Sequence, residues 1–416
     1  MTDGAHDHPA ILAAIPPAFD PSGLATKDAL DALTKRVAAL EAKGTPDVPP
    51  PVEPPVTPPA NDYPAWTYQL AQGFGVVYGP TIAAPTTIPH DGVADTAGPL
   101  AAWIMSASGS KVLDLSTLAS PLWMFTGNGL DLRGIRPATK IIFPKGQRIS
   151  WGHGPGTDNH EAFILLGNTH DIEIDGNGSI PDGSNPGIGT SAVKISDARS
   201  SCLVRNGASW VNVHGFHWVN VAGYGPGTFG DDGAYPPPDY CWFHDYTQTG
   251  GEWAASMTSG RHVMWSDWES TDTSISPIDI EPDAPGHVIE DIAIVRFRAT
   301  NWGWYGALTP WMMQACPKGT ATNPMARIFV ADGVTSNAGP QHGPSANAGG
   351  LAIRADKTNA KDTIVVRRLT TTTPASTNTM RLVNVHDLEV QGCVQPRTAG
   401  VLVSDVGTTG TRLVQV

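Results

Sequence analysis

An all-β protein wound as a parallel β-helix is the fold the sequence predicts, on three observations. From about residue 140 onward, apolar residues recur in tripeptides of the form apolar–any–apolar and not at helical spacing. Glycine (45) and proline (37) are frequent, so turns are many and elements short. Charged residues make up 16% of the 416, low for a chain of helices with solvated faces.

The elements before the repeat read in order as follows. Residues 1–25 form an N-terminal attachment segment. Residues 26–43, "TKDALDALTKRVAALEAK", form a short helix with Leu30, Leu33, Val37 and Leu40 at alternating a and d positions, and Arg36 and Glu41 at g and e. Two heptads are too few to hold an oligomer alone. The helix therefore lies on its own body or joins a trimeric bundle whose body also trimerises. Residues 44–62 are a Pro-rich, semi-rigid spacer that cannot pack a core. Residues 63–110 are a capping segment with one helix: Pro99 suits its first turn, Leu100, Trp103, Ile104 and Ala107 share a face, and Gly109 ends it. Such a helix covers the open end of a β solenoid.

The body, 111–416, carries two strand sets. One contains Ile164-Leu165-Leu166, Val193-Lys194-Ile195, Ile278-Asp279-Ile280, Leu351-Ala352-Ile353 and Leu382-Val383. The other contains Ile172–Ile174, Val211–Val213, Val263–Trp265, Ile292–Ile294, Ile328–Val330, Ile364–Val366 and Leu388–Val390, recurring at about 24 to 52 residues. A third apolar element trails it at Phe216, Trp268, Phe297, Val334, Leu369 and Cys393. A three-residue strand buries two side chains on one face, and stacking at about 4.8 Å makes a continuous apolar interior with its internal edges paired. The competing sandwich needs longer antiparallel strands joined by tight hairpins, for which the turn signals are few.

Bulk properties narrow the partners. The formal charge of −13 argues against nucleic acid, since phosphate binding needs clustered Lys and Arg. No apolar run is long enough to insert in a membrane. The N-terminus lacks a basic region and an apolar core, so no signal peptide is expected and synthesis is cytoplasmic. Cys202, Cys241, Cys316 and Cys393 form no CxxC pair and read as buried thiols. No P-loop, dinucleotide fingerprint or Gly-x-Ser-x-Gly elbow occurs, and no cofactor is expected.

"HDIEIDGNG" (170–178), "PIDIEPDAP" (277–285) and "HVIEDIAIVRFRATN" (287–301) resemble rungs of pectate-lyase-like right-handed parallel β-helices. "HDGVADTAGPLAAWI" (90–104) is similar to the capping segment of phage tailspikes and bacterial relatives with that fold. With the preceding helix and spacer, the chain resembles a bacteriophage tailspike or minor tail protein. Its Ala-, Gly-, Pro- and Trp-rich composition resembles that of actinobacterial phages. The resemblance implies a homotrimer in the virion tail, held by other tail proteins through its N-terminus and meeting host cell-envelope polysaccharide.

By this resemblance the first strand set corresponds to the sheet carrying the catalytic acids of polygalacturonases. Asp279 and Glu281, two apart on one face, are then the candidate pair, with Cα atoms about 6.5 to 7 Å apart. Asp267 and Glu269 lie nearby in sequence, and Arg261 and His262 could supply a positive group or a proton carrier. The alternative is that Asp279 and Glu281 are ordinary wet side chains outside a rung, or glycan contacts. The polygalacturonase motifs are not reproduced: Ile275-Ser276-Pro277 stands where Asn-Thr-Asp would, Asp231-Asp232 lies in a Gly-rich stretch, and Gly152-His153-Gly154 lies far upstream. Trp302, Trp304, Tyr305 and Trp311 form one aromatic group and Tyr235 and Tyr240 belong to another; such rings suit sugar faces or fill the interior. Residues 222–260 read as a long inserted loop, a groove wall or trimer contact, whose Asp231, Asp232, Asp239, Asp245 and Glu252 could hold Ca²⁺ without matching a known loop. His6 and His8 could ligate a metal or belong to a solvated tail. No metal site is expected.

Overall fold

The central rungs are each laid down by one short and one long strand. Ser276–Ile280 is followed by a loop and Ile289–Thr300, then Met313–Ala315 and Met325–Ser336 repeat the pattern. In the computed structural model the described residues are 63–72, 75–126, 129–152, 161–183, 199–221, 223–230, 235–303, 312–315, 325–336, 353–356, 363–371, 378–383, 388–394, 402–406 and 412–414. The attachment segment, the 26–43 helix, the 44–62 spacer and His6 and His8 lie outside them.

The short strands form a ten-stranded sheet from Leu130–Asp131 to Leu402–Val406. The long strands form a fifteen-stranded sheet from Thr81–Ala83 to Arg412–Val414. Every strand pairing among the described residues is parallel. Successive strands of one sheet are rung neighbours, so the chain is a right-handed parallel β-helix. The second strand set falls in one register: Val211, Cys241, Val263, Ile292, Ile328, Ile364 and Leu388 stand one above another.

That register corrects the reading of 222–260 as an inserted loop. Gly227–Phe229, Asp239–Gly250 and Trp253–Met257 are rung strands, and Cys241 divides the longest gap in the repeat. Asp231 and Asp232 lie outside the described residues. So does Val193–Ile195; the short strand beside Glu161–Leu166 is Arg199–Arg205.

One apolar cluster fills the space between the sheets from Leu100 to Val390. Ile278, Ile280, Ile292 and Ile294 are each 1% exposed or less, which contributes roughly 1.5–3 kcal/mol per side chain. Aromatic rings stack along the axis: Tyr246 on Trp268 at 6.0 Å and Trp268 on Phe297 at 4.9 Å, both near parallel. Gly333 occupies the next position above Phe297, not the expected Val334. Two buried polar groups inside are satisfied by main-chain carbonyls: Trp265 Nε1 donates to that of Pro226 at 2.7 Å and the Tyr246 hydroxyl to that of Ala254 at 3.0 Å. Cys202 and Cys241 are buried free thiols and Cys393 is half-buried.

The long strands bend at corners in the left-handed region. His262, Asp267 and Asp272 have positive φ in one rung, and Asp291, Arg296 and Asn301 in the next. Asp and Asn tolerate this conformation best among non-glycine residues, because their short side chains bond locally. Corner charges alternate along the axis and pair: Arg296 grips Asp267 at 2.6 and 2.7 Å, Arg327 grips Asp291 at 2.7 and 2.8 Å, and Arg368 grips Asp332 at 2.6 and 2.9 Å.

Within segment 63–110, where one helix was expected, the described residues hold two. Helix α2, Ala97–Ala107, inserts Leu100 and Ile104 into the first turns of the core, with Trp103 and Ala107 partly buried beside them. Helix α1, Ala65–Ala71, lies on the outer face of the fifteen-stranded sheet. There Met264, Ala293, Val295, Phe329 and Ala331 form an apolar strip that Leu70, 0% exposed, covers. The Tyr63 hydroxyl donates to Asp332 at 2.5 Å, and Arg296 stands 5.7 Å over its ring. Among the described residues no helix is long and apolar enough to cross a membrane.

Candidate functional site

Side chains alternate along Trp253–Met257 and Ser276–Ile280. Ala255 and Met257 point into the core, as do Ile278 and Ile280. Ser256 and Asp279 therefore point outward, and they face each other across the ladder. Leu203 and Gly227 continue this outward column on the preceding rungs.

The column is covered, not wet. Asp279 is 2% exposed and Ser256 1%. This corrects the expectation that Asp279 is an ordinary solvated side chain: alternation turns it outward, yet it is buried there. Glu281, two residues on, is half-buried, and its backbone N–H donates to the Met257 carbonyl at 2.9 Å. Asp283 is exposed in the following loop and lies 3.0 Å from Nδ1 of His287, which is itself buried. Glu252 is buried at the start of the neighbouring rung. Tyr224 stacks on Trp253 at 4.7 Å and meets Phe229 edge-on at 5.0 Å. Burial pushes the Tyr224 hydroxyl's pKa well up, and the charges of Asp279, Glu252, Glu281 and Asp283 push it further. Four carboxylates thus crowd one phenol on the outer face of the ten-stranded sheet.

The other four residues proposed for chemistry lie on the fifteen-stranded sheet, and each has a charged neighbour. Asp267 is held by Arg296; burial pushes its carboxyl up, but the guanidinium outweighs that and holds it below the usual range. Glu269 lies 3.7 Å from Arg298 and Arg261 3.2 Å from Glu290. His262 binds Asp239 through Nδ1 at 2.8 Å and stacks between Tyr240, at 4.2 Å, and the edge of Trp66, at 5.6 Å. These are corner pairs and the helix seat, on a different sheet from Asp279.

The aromatic candidates divide as well. Trp302 is 0% exposed and belongs to the core, so it cannot present a face to sugar; this corrects its assignment as a glycan contact. Tyr240 is half-buried between Trp210 and His262, and Tyr235 is 55% exposed. Trp304, Tyr305 and Trp311 lie outside the described residues. Among the described residues no group of three or more His, Cys, Asp or Glu is arranged to hold a metal ion. The sequence reading did not single out Ser256, Tyr224 as a neighbour of the acids, or His287. Ser256 sits in an Ala-rich strand without apolar alternation, and His287 gives no signal beyond opening a rung.

No family model and no curated protein matches the chain. Solved structures share its fold. An endo-xylogalacturonan hydrolase from Aspergillus tubingensis superposes with a TM-score of 0.51 at 11% identity, over 81% of this chain and 99% of that one. A 1,3-α-1,4-β-D-galactose-4-sulfate-3,6-anhydro-D-galactose-2-sulfate 4-galactohydrolase superposes with a TM-score of 0.53 at 9% identity, over 83% and 93%. A tailspike protein of an E. coli bacteriophage, in complex with a pentasaccharide, gives 0.46 at 13% identity, over 78% and 64%. At these identities the likeness is one of fold.

Proposed function

We propose that this protein is a phage tail component of the actinobacterial type that grips host cell-envelope glycan on the outer face of its ten-stranded sheet. The observation that carries the glycan reading is the half-buried Glu281 and the exposed Asp283, which border the buried Asp279 on the outer face of the ten-stranded sheet. Accessible carboxylate acceptors suit the many hydroxyl donors of a sugar. The virion role rests on the sequence layout: attachment segment 1–25, helix 26–43 and stiff spacer 44–62 ahead of a rigid body. In this reading the body is a homotrimer, and other tail proteins hold residues 1–25.

A second reading is favoured by the unlike surroundings of Asp279 and Glu281. One carboxyl is buried and its neighbour two residues away is half-open, the kind of unlike carboxyl pair that glycoside hydrolysis uses. The tail component then also cleaves the glycan it grips.

Both readings are tested on Asp279→Asn and Glu281→Gln. Binding to purified host envelope polysaccharide is expected to weaken at least about tenfold, the loss of one or two charge-assisted hydrogen bonds. If the wild type binds no envelope glycan, or both variants bind as it does, the site assignment is wrong. A reducing-end assay on the same samples separates adhesion from cleavage.

A further inference from the structure

Within the glycan reading, one ring beside the acids is placed to meet a ligand. Tyr224 bridges to Trp253 on the next rung and precedes the strand Gly227–Phe229. Its side chain packs on the outward cluster of Ala162, Leu203 and Phe229. It stacks on Trp253 and meets Phe229, at the far end of that strand, edge-on. The ring therefore lies along the outer face of the ten-stranded sheet, held by aromatic neighbours. A Tyr ring fixed in this way has little freedom left to lose when a ligand arrives. Its hydroxyl is not committed in that packing. Tyr63 and Tyr246 donate theirs to Asp332 and to the Ala254 carbonyl. Tyr224 is half-buried, and its hydroxyl makes no hydrogen bond among the described residues. Water can satisfy such a group until a ligand displaces it.

The charges around the hydroxyl fix what it can do. Asp279, Glu252, Glu281 and Asp283 all act on it, so it stands on the acid side of the site. The rings and chains packed against it, Trp253, Phe229 and Leu203, are uncharged; Arg205 stands 5.9 Å over the Phe229 ring, and His287 faces Asp283 at 3.0 Å. Burial, then the four carboxylates, hold the phenol well above its ordinary 10, so it keeps its proton. An ionised carboxylate only accepts hydrogen bonds, whereas a protonated phenol donates one. Glu281 and Asp283 can take hydrogens from sugar hydroxyls. A ring, glycosidic or acyl oxygen of the same sugar has no hydrogen to give and needs a donor, which Tyr224 supplies on the same face.

We propose that the Tyr224 hydroxyl is a ligand contact of the glycan site, donating a hydrogen bond to a ring, glycosidic or acyl oxygen of the bound sugar while Glu281 and Asp283 accept from its hydroxyls. This inference rests on the glycan reading above, and the test keeps the two apart. The full chain, Tyr224→Phe and Glu281→Gln are each titrated with purified host envelope polysaccharide at a temperature where all three are folded. Tyr224→Phe keeps the ring and its stacking, so its melting temperature is expected to match the wild type. Its binding is expected to weaken about three- to tenfold, the loss of one neutral hydrogen bond. That ratio is expected to hold from about pH 7 to about pH 10.5, a span over which an ordinary phenol loses its proton. Binding of Tyr224→Phe equal to that of the wild type, with Glu281→Gln weakened, overturns the inference and leaves the glycan reading standing. Weaker binding that comes with a lower melting temperature marks a structural ring and overturns it as well. So does a ratio that collapses as the pH passes about 10. No binding by the wild type removes the glycan reading and this inference with it.

Discussion

Gly333 meets the ring of Phe297 so closely that a Cβ at this position would overlap the ring. Gly176 stands in the same relation to Phe216 at the other end of the aromatic column. A large ring fills its own rung and part of the next, so the adjoining position must be empty. Gly333→Ala is therefore expected to destabilise the fold by about 1–3 kcal/mol, read as a lower urea midpoint with unchanged slope. His244 makes a pH prediction. Burial, then the facing His214, pushes its pKa down to about 4 from an ordinary 6.5. Above 6.5 the ring is neutral in both states; between 6.5 and 4 the unfolded chain takes the proton first. Stability is thus full above 6.5 and is lost as pH falls toward 4, by about 3 kcal/mol at most. His244→Gln is expected to flatten that part of the stability–pH curve. Single residues were also where the sequence was least legible. The period of two gives the outward direction of Asp279, but its burial there depends on tertiary packing that no local pattern encodes.

At the scale of elements, the strands with Val or Ile at both inward positions were readable, and those built otherwise were not. Cys241-Trp242-Phe243 is a full member of the register, yet it follows a Gly- and Pro-rich run and carries no β-branched residue. Gly227–Phe229 is shorter still, and its inward threonine gives no apolar signal. Helix α1 was hidden for another reason. Seven residues with two apolar anchors fall below any periodicity threshold, and the seat that holds them is assembled from three rungs distant in sequence. Because tertiary contacts alone hold it, Leu70→Ala is expected to release α1 while the coil stays folded. Hydrogen exchange should speed up in 65–71 and at the Met264–Phe329 strip, with global melting nearly unchanged.

For the whole molecule, the repeat itself was legible because a screw of short parallel strands imposes one inward pattern on many rungs. The third apolar element was visible too, but its fusion with the second set into single bent strands was not, since the left-handed corners fall on residues as unlike as Asp267, Arg296, His262 and Trp210. Oligomeric state belongs to this scale. The trimer proposed above predicts a sedimentation mass of three chains, and loss of residues 1–43 is expected to lower it if the 26–43 helix contributes to assembly. A single-chain mass for the intact protein would reject it.

The seat of α1 decides how a load would travel. Traction on residue 63 enters at the flank, across the strands Gly260–Thr271, Ile289–Thr300 and Met325–Ser336, through Tyr63 on Asp332 and Leu70 on the apolar strip. Three strands and the two ladders between them would share the strain in shear, and the terminal coil would not have to unzip one bond at a time. A tether fastened there can tug on the barrel without unravelling it.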